Sequence, residues 1–204
     1  CKLPRPRYYY IAPTYSMAKR IAWDYLKYYT SVLPKMEYHE TELRADLPNG
    51  GRIQLLGCER PQTLKGLYMD GVVLDEVAQM PPKMWTEVIR PALSDRKGFM
   101  VAIGTPAGHN SFFDLYNHGL QDENWYAQSF KASETKIVDA EELAAAKSMM
   151  PPEIYEAEYE CSFESSAIGA IYSQSLAKAD TEGRITKVPY DSTIKVDTYW
   201  DLGM

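Results

Sequence analysis

The chain has 204 residues, enough for one domain with a full core and the start of a second. Its 45% hydrophobic and 25% charged content is ordinary for a globular protein, and no apolar run reaches the ~18–20 residues of a membrane span. The net charge of −6 means that any nucleic-acid contact must use local basic patches rather than an overall field. No basic-then-apolar start marks a signal peptide. Cys1, Cys58 and Cys161 are odd in number and far apart. They make neither a disulfide framework nor a metal-ligand spacing, which points to a reducing cytoplasm. The chain begins with Cys1 and stops at Met204 directly after an apparent strand; the expectation is an internal fragment of a longer protein.

In chain order, Tyr8-Tyr9-Tyr10-Ile11-Ala12 reads as a short aromatic strand ended by Pro13. A helix is predicted from about Ser16, its N-cap, to Pro34. Met17, Ile21, Tyr25 and Tyr29 recur every four residues and predict its buried stripe, with Leu26 and Leu33 beside them. Leu43, Ala45 and Leu47 alternate with polar residues, Pro48-Asn49-Gly50-Gly51 turns the chain, and Arg52 to Gly57 returns. That is a hairpin signal. After a loop, Val72-Val73-Leu74 is a third strand. Met84 to Leu93 reads as helix, Phe99 to Ile103 as another buried strand, Ser111 to Leu120 as helix and Trp125 to Phe130 as strand. Two helices, Glu141 to Met149 and Pro152 to Cys161, are split by Pro151-Pro152. Residues 165–195 read as a connecting segment, and Val196 to Asp201 as a strand. There are no internal repeats. Strands alternating with helices predict an α/β fold with a mainly parallel sheet.

The most informative segment is Gly71 to Met80. An apolar run ending in adjacent carboxylates, Asp75 and Glu76, reads as a strand buried on both faces that delivers two acids to its carboxyl end. Open α/β sheets bind ligands at that end. This is the arrangement of a Walker B element, in which an Asp holds Mg²⁺ on nucleotide phosphates and a following Glu activates water. A strand ending in a solvated acidic turn is the alternative. Gly104-Thr105-Pro106 ends the next strand, on the same sheet edge, where the Thr hydroxyl is suited to sensing a γ-phosphate; alone it is a turn. No G-x-x-x-x-G-K-[ST] phosphate cradle occurs in the chain. Either the chain hydrolyses no nucleotide or the cradle lies upstream of Cys1, which the reading favours. Tyr8 to Tyr10 with Tyr25, Tyr28 and Tyr29 suit base stacking, but their helical spacing favours core packing. His39, His109 and His118 show no mutual metal-binding spacing and receive no role.

Taken in order, Ile11-Ala12-Pro13-Thr14-Tyr15 with Ala22-Trp23, Leu64-Lys65-Gly66, Val72 to Met80, Gly104-Thr105-Pro106, Phe163 through Ile171-Tyr172, and Trp200-Asp201-Leu202-Gly203 resemble the large terminase subunit of tailed bacteriophages. The resemblance implies a P-loop NTPase-like, mostly parallel sheet flanked by helices, with a β-hairpin insertion. It implies a packaging ATPase over residues 1–165 lacking its P-loop, a linker over 166–194, and the first strand of an RNase H-like nuclease over 195–204. The implied function is ATP-driven translocation of viral double-stranded DNA into a capsid, coupled in the intact protein to metal-dependent cleavage. Asp75 would then hold Mg²⁺ and Glu76 would be the catalytic carboxylate. Gly104, Thr105 and Pro106 would couple hydrolysis to motion, and Asp201 would ligate Mg²⁺ or Mn²⁺ in the nuclease. Many relatives have Arg where Leu64-Lys65-Gly66 stands, a candidate finger toward a neighbouring subunit's nucleotide; Lys65 keeps the charge without the planar fork, and a solvated loop Lys is its other reading. Pro13-Thr14-Tyr15 resembles a helicase-like motif and equally suits a simple strand-to-helix turn. The implied partners are double-stranded DNA, the small terminase subunit, the portal protein and further copies in a ring on the capsid, in the host cytoplasm, with no membrane. The rivals are a DNA helicase or translocase of related core, and a non-enzymatic interaction module.

Overall fold

The computed structural model describes residues 5–164, 173–187 and 193. The chain divides into two units, Cys1–Ile168 and Gly169–Met204. In the first, six strands form one sheet: β1 (Arg7–Ala12), β2 (Glu37–His39), β3 (Arg44–Asp46), β4 (Arg52–Gly57), β5 (Gly71–Leu74) and β6 (Phe99–Ala102). Their order is β2-β3-β4-β1-β5-β6. The pairs β4–β1, β1–β5 and β5–β6 are parallel, and β2–β3 and β3–β4 are antiparallel. The mixed α/β sheet, mainly parallel with an antiparallel hairpin, is therefore as the sequence predicts. β2 is an addition that the sequence reading does not contain. Its Glu37, Tyr38 and His39 lie opposite Asp46, Ala45 and Arg44.

Side chains alternate across a strand, and each face of the sheet has its own core. One face carries Tyr9, Ile11, Val72 and Leu74, packed against Met84, Val88, Ile89, Leu93 and Leu115. These come from a π-helical stretch Met84–Ile89, helix α3 (Arg90–Ser94) and helix α4 (Ser111–Gln121). The opposite face carries Tyr10, Ala12 and Leu55 against Ala18, Trp23, Leu26 and Leu43. At the start of β5, buried Asp70 accepts a hydrogen bond from Arg7 N at 2.7 Å, with Arg96 Nη1 at 3.6 Å. This acid pins two strands together.

The first helix differs from its prediction. It runs as α1 (Tyr15–Ala18), a π-helical stretch Lys19–Trp23 and α2 (Asp24–Thr30). Its cap is Thr14, whose side chain accepts from Met17 N at 3.1 Å, and not Ser16. Its inner face is Ala18, Trp23 and Thr30, with Met17, Ala22 and Leu26 half-buried. Ile21, Tyr25, Tyr28 and Tyr29 are exposed. The tyrosines are therefore not core residues; they pack on one another, with ring centroids 6.3 Å apart for Tyr25–Tyr29 and 5.2 Å for Tyr28–Tyr29. The widened π turn and the small side chains of Ala18 and Ala22 bring the other face to the sheet.

Two further expectations change. Trp125 to Phe130 is not a strand among the described residues. Trp125 instead docks edge-on against Trp85 and His118, at 5.8 and 4.9 Å between ring centroids, and Ala127 fits where Gly119 lacks a side chain. The strand expected over Phe99 to Ile103 is half open rather than buried: Phe99 and Val101 of β6, and Ile103 just after it, are 56%, 44% and 46% exposed. Helices α5 (Ala132–Thr135), α6 (Ala140–Met149) and α7 (Pro152–Glu158) complete the first unit. In the second unit, helix α8 (Ser173–Thr181) occupies part of the segment read as a connector. The strand expected over 196–201, and Asp201 with it, lie outside the described residues.

Candidate active site

β5 ends at Leu74, and the chain turns sharply through Asp75 and Glu76 into a short 3₁₀ turn, Val77–Gln79. Glu76 makes that turn with φ 54° and ψ 47°, in the left-handed region. Non-glycine residues seldom adopt it without local support. The support comes from both neighbouring strands. Asp75 N donates to Ile11 O of β1 at 2.9 Å, and Val77 N donates to Ile103 O after β6 at 3.2 Å. Gly104 follows Ile103 and lies against the turn; a Cβ there would sit 3.0 Å from Val77 N and 3.1 Å from Glu76 Cα. Those contacts are tight, and the Gly104 φ of 156° strains any residue with a Cβ, so both favour glycine here.

The carboxylates are held differently. Asp75 Oδ1 accepts from Glu76 N at 3.0 Å, and Asp75 Oδ2 accepts from the hydroxyl of Tyr10. Burial, then the bond and charge of Asp75, push the Tyr10 hydroxyl well above its ordinary value, so it stays protonated as the donor. Glu76 Oε2 accepts from Gln79 Nε2 at 3.2 Å. Partial burial, then the neighbouring charge of Asp75, raise the Glu76 carboxyl above its ordinary value, against the bonds from Gln79 and the Thr105 backbone. A raised proton affinity is the direction that suits a carboxylate to act as a proton acceptor.

The parallel register Leu74↔Ala102 brings the Gly104-Thr105-Pro106 loop beside Asp75 and Glu76, so four of the predicted residues share one sheet edge and buried Pro106 follows them. Lys65 is not among the contacts of this edge. It donates to Glu87 Oε2 at 3.1 Å, and Lys83 lies 3.5 Å from the other Glu87 oxygen. Sequence reasoning missed two residues here. Tyr10 is separated from Asp75 by 65 positions, and no local pattern relates them. Asn110 caps α4, accepting from Phe112 N at 2.9 Å and Phe113 N at 3.3 Å, and its Nδ2 donates to Ala78 O at 3.3 Å. It thus ties the loop after β6 to the Asp75-Glu76 turn. The Asn before Ser111 is a legible cap signal; the bond to Ala78 is not. At the carboxyl end of the unit, Phe163 packs against Phe112, Phe113 and Tyr116 of α4.

Two adjacent carboxylates with free lone pairs at the carboxyl end of a parallel strand suit Mg²⁺. This ion is usually held by one or two carboxylates together with substrate phosphates, rather than by an all-protein cage. Among the described residues no group of three or more His, Cys, Asp or Glu gathers as such a cage.

No protein-family model matches the chain. It is 30% identical over 128 residues to the large terminase subunit of Thermus phage G20c, covering 53% of this chain and 26% of that protein. It is 24% identical over 168 residues to the large terminase subunit of Escherichia phage T5, covering 78% and 38%. The chain thus spans well under half the length of these curated relatives. Among solved structures, the ATPase domain of the Thermus phage P74-26 large terminase superposes with a TM-score of 0.68 at 22% identity, over 78% of this chain and 77% of that one. The large terminase of another thermophilic bacteriophage, solved in complex with ADP, superposes with a TM-score of 0.64 at 15% identity, over 79% and 41%. In sequence the chain is similar to phage large terminase subunits, and in fold it is similar to their ATPase domain.

Proposed function

We propose that this chain is the ATPase part of a phage large terminase subunit, and that the intact protein uses ATP hydrolysis to drive double-stranded DNA into a capsid. The observation that carries this reading is the joint geometry of β5 and β6. Asp75 and Glu76 leave one strand, and Gly104-Thr105-Pro106 leaves its parallel neighbour, with Gly104 packed on the Glu76 backbone. A loop that senses nucleotide state would move the catalytic turn directly through that contact.

Asp75 is the residue to hold Mg²⁺, which supplies charge neutralisation on the β- and γ-phosphates when bound. Glu76 orients the attacking water and takes its proton. The Thr105 hydroxyl is suited to one hydrogen bond with the γ-phosphate, and its loss on phosphate release would pass through Gly104 and Asn110 to the turn. The phosphate cradle itself is absent from this sequence. The open flank of β6 supports a further strand there, bringing a P-loop to the same edge. Nucleotide binding is supported by the ADP and ATP-γ-S complexes of the same thermophilic-phage large terminase. Lys65 is proposed to act toward a neighbouring subunit's nucleotide only after release from Glu87.

The same reading gives the intact protein an endonuclease function. Residues 1–165 would be the motor, 166–194 a linker and 195–204 the first nuclease strand, with Asp201 ligating Mg²⁺ or Mn²⁺ beside carboxylates from elsewhere. Its partners would be duplex DNA, the small terminase subunit, the portal protein and other copies in a ring, in the host cytoplasm. No helix among the described residues is long and apolar enough to cross a membrane.

The test is Glu76→Gln in the full-length protein. ATP binding should persist while turnover falls about 10²–10⁴-fold, the range for loss of a general base. Near-normal turnover would remove Glu76 from the reaction.

A further inference from the structure

Tyr10 reaches the Asp75 carboxylate from a neighbouring strand and has no part in the reaction above. The register Tyr10↔Val73 sets it opposite the residue two before Asp75. Side chains alternate along a strand, so Tyr10, Val73 and Asp75 point to the same face. Tyr10 packs against the cluster of Ala12, Ala18, Trp23, Leu43 and Leu55. Its ring is held by the core, and its hydroxyl donates to Asp75 Oδ2.

The opposite oxygen is also fixed, because Oδ1 accepts from Glu76 N at 3.0 Å. Each carboxylate oxygen offers about two acceptor sites, so one donor on each leaves lone pairs free. The backbone of Asp75 is fixed by its bond to Ile11 O at 2.9 Å. Without Tyr10, the Glu76 N–H would be the one remaining hydrogen-bond donor to that carboxylate among the described residues.

We propose that Tyr10 is a positioning residue for Asp75, its hydroxyl selecting the one carboxylate orientation that presents free lone pairs to a divalent cation on a nucleotide. The inference rests on the reading of Asp75 as the cation ligand. Two effects oppose each other when the hydroxyl is removed. The carboxylate loses orientation, which weakens cation binding. It also loses a donor that drains its charge, which strengthens binding. Removing outer partners of metal ligands typically costs 10–100-fold in affinity, so the loss of orientation wins.

The experiment is Mn²⁺ titration of the full-length protein with ADP present, followed by electron paramagnetic resonance, for wild type, Tyr10→Phe, Asp75→Ala and the double variant. Tyr10→Phe keeps the ring in the core. Tyr9→Phe, on the opposite sheet face, is the control. Tyr10→Phe should weaken Mn²⁺ binding about 10-fold and leave metal-free ADP affinity unchanged. Its ATP turnover should recover at saturating metal, a KM rather than a kcat effect. The double variant should bind Mn²⁺ no more weakly than Asp75→Ala. Wild-type or tighter Mn²⁺ affinity in Tyr10→Phe beside a weakened Asp75→Ala overturns the inference alone, as does the same loss in Tyr9→Phe. Unchanged affinity in Asp75→Ala overturns the cation-ligand reading and the inference together.

Discussion

Glu76 places a charged side chain on a backbone that suits glycine. Its left-handed φ of 54° costs a residue with a Cβ roughly 1–2 kcal/mol. Glycine at the same position loses more entropy on folding, by roughly 0.5–1 kcal/mol. The balance predicts that Glu76→Gly stabilises the chain by about 0.5 kcal/mol, raising its melting temperature by about 1–2 °C, while the intact protein loses ATP hydrolysis. A lower melting temperature would mean that the turn is not strained. The location of the acid pair was legible because an apolar run ending in two acids is a local pattern. So was Gly104, as part of a turn, but its reason was not. Glycine at position 104 is favoured by its φ of 156° and by the close approach of Glu76 and Val77, and that contact exists only once β5 and β6 pair. The Tyr10–Asp75 bond was hidden for the same reason, since pairing across 65 positions leaves no trace in spacing.

The elements divide along a similar line. The β3–β4 hairpin was readable because alternation and Asn49-Gly50 are both local; Gly50 takes φ 76° in the turn. The first helix departs from its pattern because its bulky residues are not its buried ones. Its tyrosines recur at helical spacing, yet the side facing the sheet is built from Ala18, Ala22, Trp23, Leu26 and Thr30. Trp23 anchors that side, with Nε1 donating to Glu40 Oε2 at 2.7 Å. The hairpin carries a charge cluster that gives it a pH signature. Asp46 Oδ1 accepts from Arg52 Nε at 2.7 Å, its Oδ2 accepts from Arg44 Nε at 3.0 Å, and His39 Nε2 lies 3.3 Å away. Partial burial pulls the Asp46 carboxyl up, but the bonds and charges of Arg52 and Arg44 outweigh it and hold it below the ordinary value. A lowered folded-state value gives stability that is present above the unfolded-state value and lost as pH falls through the folded-state one. Asp46→Asn should therefore cost about 1 kcal/mol at neutral pH, the upper range for solvent-screened pairs, and less at pH ~3, below the unfolded-state value of about 3.9 where the loss has begun. Denaturant unfolding at the two pH values measures the difference; equal losses at both would assign the effect to packing instead.

At the scale of the sheet, β2 and β6 are the two edges, and they are not alike. β2 has three residues, with exposed Glu37 and half-buried His39; a short polar edge discourages pairing with other chains. β6 is apolar, and Phe99, Val101 and Ile103 are substantially exposed. Strands of a parallel sheet are normally covered on both faces, which is why Phe99 to Ile103 read as buried in the sequence. The sequence pattern describes a covered strand, and the described residues leave it open along one edge and one face. An exposed apolar edge of this kind is a template for intermolecular pairing. The chain of 204 residues, prepared by itself, should accordingly self-associate at micromolar concentration, as read by light scattering or sedimentation. Val101→Lys places a charge in the middle of that edge, where it obstructs pairing with a second chain but faces no residue of the buried clusters. It should shift the isolated chain toward monomer with little change in melting temperature. In a protein that carries a P-loop strand beside β6 and covers the face on which Val101 lies, the same lysine would be buried there and should instead destabilise the sheet, by the several kcal/mol expected for burying an unpaired charge. Opposite signs in the two proteins would identify β6 as an internal strand of the complete sheet; a harmless Val101→Lys in both would leave β6 as a true edge and withdraw the proposed position of the P-loop strand.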